Sequence, residues 1–180
     1  IGSSAGTLHT SGGNSVFIGA SAGDAVTTGA GNIMIGQGSD SSSATTSYAI
    51  AIGVGATAED GGLSMGRSST AVQDSIAIGR GTTATGIDSV VIGEGATSGT
   101  SSTVLGQGAQ SASGGTALGQ GANAASNGIA LGKGAASTAS AIAIGSSGTP
   151  ITLSSGQSGG STTLPVLING TQYYIQIHVP

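Results

Sequence analysis

The stretch ALGQGANAASNGIALGKGA (residues 117–135) writes one short phrase twice, ALGQGA returning thirteen residues later as ALGKGA. Working outward, an apolar pair that flanks one residue and precedes a glycine recurs as VFIG, IMIG, IAIG, LSMG, IAIG, VVIG, TVLG, TALG, IALG and IAIG. The closing glycines are Gly19, Gly36, Gly53, Gly66, Gly79, Gly93, Gly106, Gly119, Gly132 and Gly145, separated by 17, 17, 13, 13, 14, 13, 13, 13 and 13 residues. Gly2, 17 before Gly19, reads as the tail of an eleventh copy. A repeat held in register this long defines the architecture before any single residue does.

Within each copy the apolar residues alternate with period two, which argues for strand. Ile76 and Ile78 share one face and Ala77 takes the other, as do Val90/Ile92 around Val91 and Ile129/Leu131 around Ala130. Most copies continue Gly-x-Gly into a short stretch such as TTA (82–84) or ATS (96–98), a candidate second, thinner strand. Polar turns such as TGID (85–88) and SNG (126–128) close the copy. Tight corners need positive φ or close backbone approach, which glycine supplies. Thirteen residues cannot bury a core alone, but stacked coils share one and pair every strand with its neighbour. At about 4.8 Å per coil, ten coils make a rod of roughly 48 Å.

Two expectations follow about what lies where. The 17-residue spacings leave about four extra residues per copy, expected as loops bulging from one side, with DSSSATTSYA (40–49) the clearest. The middle residues of the apolar triplets (Phe17, Met34, Ala51, Ser64, Ala77, Val91, Val104, Ala117, Ala130 and Ala143) are expected to form a second, exposed seam. Soluble monomers avoid a long apolar stripe, so symmetric self-association is expected to cover it.

Composition narrows the class. Of 180 residues 36 are Gly, with one Phe, three Tyr and no Trp, too few large side chains for a thick globular core. Charged residues are 6% and mean hydropathy is +0.27, which does not fit disorder driven by charge. There is no Cys, so no disulfide framework and no thiolate metal site. Three cations and a net charge of −4 argue against a nucleic-acid partner. The chain opens IGSSAG, without Met or signal peptide, and is expected to be part of a longer polypeptide.

SIAIGRGTTATGIDSVVIGEGA (75–96) and NGIALGKGAASTASAIAIG (127–145) resemble the head repeats of YadA-like trimeric autotransporter adhesins, over about residues 14–148. The resemblance implies one coil per repeat of a left-handed parallel β-roll, with three rolls side by side. The fold expectation is thus all-β, a homotrimeric parallel solenoid of 13–14-residue coils over 1–148. A neck motif, a heptad-bearing stalk and a membrane anchor normally follow such a head, and none follows Gly145. Instead a Gly/Ser/Thr-rich linker (149–163) leads to LPVLINGTQYYIQIHVP (164–180). That ending is an expected hairpin cap with Asn169-Gly170 as a type I′ turn, setting Ile168 opposite Thr171, Val166 opposite Tyr173 and Leu164 opposite Ile175. It loosely resembles short C-terminal segments of phage virion structural proteins.

Chemistry-bearing residues are sparse. The cations Arg67, Arg80 and Lys133 all follow a repeat glycine, in a column with Gln37, Val54, Glu94, Gln107, Gln120 and Ser146. Stacking would set Arg80 beside Glu94 as a ladder ion pair, a solvated edge of small energetic weight or a subunit boundary. Gly-x-Gly in GRGTTATG (79–86) lacks the rest of a dinucleotide fingerprint, and GIALGK (128–133) misses Walker spacing, so corner glycines explain both. Asp60, Asp74 and Asp88, at intervals of 14, each precede a strand and read as turn caps. Asp24, Asp40 and Glu59 complete the acids with Glu94; nothing selects the paired carboxylates of a glycosidase. His9 and His178 could meet on a threefold axis, though an exposed or half-packed histidine is the plainer expectation. The Thr column 57, 70, 83 and 97 passes to Gln110, Asn123 and Ala136, too broken for an ice-binding face.

The expectation is therefore a non-catalytic trimeric fibre or head module, with no cofactor and no metal. It would be displayed on a virion or bacterial cell surface through regions outside this stretch, binding a host-surface glycan or protein by many weak contacts. A phage fibre or decoration protein is favoured, with a bacterial adhesin head next. A polysaccharide-cleaving spike and an ice-binding solenoid stand further off.

Overall fold

The computed structural model describes residues 1–145, together with the backbone of 162–168 and 171–177. The chain divides into two units, Ile1–Pro150 and Ile151–Pro180.

The first unit is a parallel solenoid without helix. Each apolar triplet is a three-residue strand, from Val16–Ile18 to Ile142–Ile144, and ten of them stack in sequence order into one sheet. Register is residue on residue: Ile76 lies level with Val90, Ala77 with Val91 and Ile78 with Ile92. From Gly53 onward the coil makes a second, two-residue strand, and six of these (Thr57–Ala58 to Asn123–Ala124) form a facing sheet. Two opposite edges of corners join the sheets: an exit edge after each three-residue strand, built on Gly-x-Gly, and a return edge before the next.

The corners explain the glycines. The repeat glycines take φ from +121° at Gly132 to +146° at Gly106. A methyl on Gly106 would lie 2.5 Å from the carbonyl carbon of Gly119 in the next coil and nearer still to its oxygen. The second glycine of the corner differs: Gly81, Gly95, Gly108 and Gly121 have φ near +64° and open space where a Cβ would stand. Ser21 and Ser68 occupy that same position at φ 54° and 56°, so the chain itself shows which glycine is replaceable.

The interior is opposite to the seam expected from the sequence. The middle residues point inward: Met34, Ala51, Ser64, Ala77, Val91, Val104, Ala117 and Ala130 are all fully buried, and Phe17 is partly buried. The larger flanking residues face outward instead, with Ile18 40%, Met65 39%, Ile92 38% and Leu105 39% exposed. Space decides this. Two sheets spanned by thirteen residues have room between them for Ala, Ser and Val, and the facing ranks are equally small: Ala58, Ala71, Ala84, Ser98, Ser111 and Ala124 are buried. The inward serines are satisfied within the core, Ser64 Oγ with Ser69 Oγ at 2.7 Å and Ser98 Oγ with Ser89 Oγ at 3.0 Å, as burial requires. The largest inward residues, Phe17 and Met34, lie in the wider 17-residue coils.

The extra residues of those coils are not free loops either. Thr10 N–H donates to Thr27 O and Thr27 N–H to Ala44 O, each at 2.8 Å, so the additions stack on one another in register. Asn32, fully buried, ties the widening down: its Nδ2 donates to Thr46 O and its Oδ1 accepts from Ala49 N–H.

In the second unit, Thr162–Ile168 and Thr171–Ile177 pair antiparallel, with Ile168 opposite Thr171, Val166 opposite Tyr173 and Leu164 opposite Ile175. The strand starts at Thr162, two residues before the start expected from sequence. Asn169, Gly170 and His178 lie outside the described residues.

Candidate functional site

Because a coil visits the same four places in turn, a residue's position in the repeat fixes its place on the rod. Four surfaces result: the outer face of the ten-stranded sheet, the outer face of the six-stranded sheet, the exit edge and the return edge.

The ten-stranded face carries two outward ranks, one of Ile, Leu and Met on every strand and one of Val, Ile and Leu that Thr103 and Thr116 interrupt. It includes Val16 (43% exposed), and it is barest at the last strand of this sheet, where Ile142 is 68% and Ile144 56% exposed. The six-stranded face presents Thr57, Thr70, Thr83 and Thr97 level with one another, then Gln110 and Asn123. That is one rank of hydroxyls, four coils long.

The exit edge holds every cation of the chain. Arg80 Nη2 pairs with the Glu94 carboxylate one coil on, with the side chains 56% and 45% exposed, and Gln120 Nε2 donates to Gln107 Oε1 at 3.0 Å. Arg67 and Lys133 are exposed, and the Arg80–Glu94 pair is the only ion pair among the described residues. Exposed pairs of this kind contribute about 0.2–1 kcal/mol. Arg80→Ala is accordingly expected to lower stability by no more than about 0.5 kcal/mol, a loss that 0.5 M salt erases in a urea titration.

The return edge carries acids. Asp74 (φ 52°) and Asp88 (φ 55°) occupy a left-handed corner column with Asn14, Gly31, Tyr48, Gly61, Ser101, Gly114, Asn127 and Ser140. Asp60 departs from the equal spacing expected of it: Gly61 holds the column, and Asp60 stands one residue earlier, accepting Ser47 N–H at 2.6 Å. Glu59 accepts the Ser42 hydroxyl. These two acids thus pin the widened segment 40–49 onto the narrower coil beneath it.

Asp40 has the same task further in. Its Oδ2 accepts Ala25 N–H and its Oδ1 accepts Ser41 N–H, both at 2.9 Å. Burial pushes its carboxyl above the ordinary range, aided by the Asp24 charge and opposed by those hydrogen bonds. A carboxyl raised by folding favours the native state when protonated, fully so below the ordinary value of 3.8, and loses that contribution as pH rises through its folded value. Acidification from neutral pH is therefore expected to raise Tm slightly, and Asp40→Asn to flatten the rise, as measured by thermal unfolding across pH.

Tyr48 was not singled out from the sequence. It is 74% exposed in the left-handed column at φ 58°, and its ring lies over Gly31 of the preceding coil. Its alignment with Asn14, Gly31, Gly61 and Asp74 was the signal that could have found it, since a bulky residue there is strained. His9 sits edge-on to Phe17, ring centroids 5.3 Å apart, with Nε2 3.0 Å from Gly12 O. Among the described residues no three His, Asp or Glu side chains converge as a metal-binding group, and no helix is long and apolar enough to cross a membrane.

No family model matches the chain, and no curated protein matches it. Among solved structures it is similar to the crystal structure of the collagen-binding domain of the Yersinia adhesin YadA. The two are 19% identical, with 74% of this chain and 76% of that one covered and a TM-score of 0.50. The stacked coils of this chain thus share a parallel β-solenoid fold with that domain, the fold that the resemblance of its repeats implied.

Proposed function

We propose that the chain is a non-catalytic, adhesin-like head module that works as a homotrimer on an extracellular surface. The observation that carries this reading is the outward apolar face, where a rank of Ile, Leu and Met runs along all ten strands beside a rank of Val, Ile and Leu broken at Thr103 and Thr116, without cover from the other described residues. Three copies packed face inward would hide those ranks and leave the Thr-bearing sheets outside. Left-handed coiling and the number three come with the likeness to the YadA head.

Two carriers are proposed. A bacterial trimeric adhesin is favoured by the match to the Yersinia head over three quarters of both chains. A virion fibre is favoured by the antiparallel pair Thr162–Ile168 and Thr171–Ile177, where a head of that family would continue into a stalk. In either, binding to a host glycan or to a matrix protein such as collagen would come from contacts repeated on three chains.

Immobilised collagen and host glycans presented to the purified oligomer test this. Saturable binding without release of sugar is expected; turnover of polysaccharide would contradict the non-catalytic reading.

A further inference from the structure

We infer that the roll's two edges are complementary to each other and meet between copies, Arg67 of one chain against Asp74 of the next. This deepens the trimer proposed above and rests on it. The exit edge bears every cation, and Glu94 engages Arg80, which leaves Arg67 and Lys133 unmatched among the described residues. The return edge bears exposed Asp60, Asp74 and Asp88 on successive coils and no cation. The Asp74 carboxylate receives only the neutral Gln73 amide, at 3.1 Å.

Like charges repeating at about the 4.8 Å coil spacing repel along the stack. The opposite charge that would relieve them lies across the full width of the roll, beyond reach within one chain. A second copy brings it within reach. Pairing exit edge with exit edge would oppose like charges, which costs affinity. Pairing exit with return edge is head-to-tail, and head-to-tail contacts close into rings when the rotation allows. Register agrees: Arg67 and Asp74 belong to the coil that begins at Gly66, Arg80 and Asp88 to the one that begins at Gly79. Copies standing level with parallel axes therefore bring cation to acid at the same height. The contact adds to the apolar face an element that fixes axial register and rejects antiparallel neighbours.

The chain has no Cys, so introduced thiols report contacts cleanly. Arg67→Cys/Asp74→Cys treated with a short bis-maleimide is expected to give covalent species ending at the trimer. Arg67→Cys alone and Asp74→Cys alone are expected to give none. In parallel, Arg67→Asp and Asp74→Arg should each weaken association at least tenfold, and the double exchange should restore it. Both sites are exposed, and the corner column of Asp74 already holds Tyr48, Ser101 and Ser140 at the same positive φ, so the fold carries the strain of a non-glycine side chain there. A trimer by mass in which the double-Cys variant stays unlinked, or in which Arg67→Cys links to itself, overturns the edge pairing and leaves the trimer standing. A monomer by mass overturns both.

Discussion

Gly106→Ala is expected to cost at least about 4 kcal/mol, enough to unfold a marginal chain. Two penalties coincide there. The residue sits at φ +146°, which alanine avoids, and the added methyl would meet the Gly119 carbonyl of the next coil at 2.5 Å or less. The neighbour cannot yield, because Gly119 has the same close approach to Gly132. In a stack held by nearest-neighbour contacts, one broken step separates the coils on either side. Gly108→Asn, two residues away, is the control: φ is +63° and the Cβ position is open. Asparagine tolerates that conformation, so a loss below about 1 kcal/mol is expected. Urea denaturation of the two variants checks the contrast; equal losses would mean that the corner glycines are not tight.

The second large effect belongs to the inward column. Ala117→Leu forces three more carbons into a space closed by the two sheets, where Ala117 is fully buried. Overpacking costs typically 1–3 kcal/mol, and more where the backbone cannot move apart. The ladder of strand pairs above and below prevents such movement, since Ala117 is level with Val104 on one side and Ala130 on the other. Leu118→Ala, the adjacent residue on the outer face, is expected to leave the fold of each roll nearly intact and to weaken association instead. Thermal unfolding followed at several protein concentrations separates the two: the first variant loses Tm at every concentration, the second mainly on dilution.

The period, the parallel pairing and the corner glycines were legible because the chain states each of them about ten times. Which face lies inside was not. Large aliphatic residues ordinarily go inward, and that habit assigned the interior to Ile76 and Ile78 and the surface to Ala77. The coil length contained the correction, since thirteen residues shared by two sheets and two corners leave room for little beyond a methyl or hydroxyl group. The all-small column through Ala51, Ser64, Ala77, Ala117 and Ala130 was itself the mark of the tight interior. The wide coils were misjudged for a related reason: four added residues look like a loop until three successive coils carry them, and then they stack, Thr10 on Thr27 on Ala44. The cation column could be read directly from Arg67, Arg80 and Lys133. The opposing acidic edge could not, because equal steps of 14 from Asp60 ran through coils of unequal length and put that residue one place out of line.

The most direct test of the account is the mass of the protein in dilute solution, by sedimentation equilibrium. Three chains of 16.6 kDa per particle are expected, with dissociation on substituting Ile78 and Ile92 together by Ser. A well-folded single chain at micromolar concentration, its outward isoleucines bare to water, would contradict it.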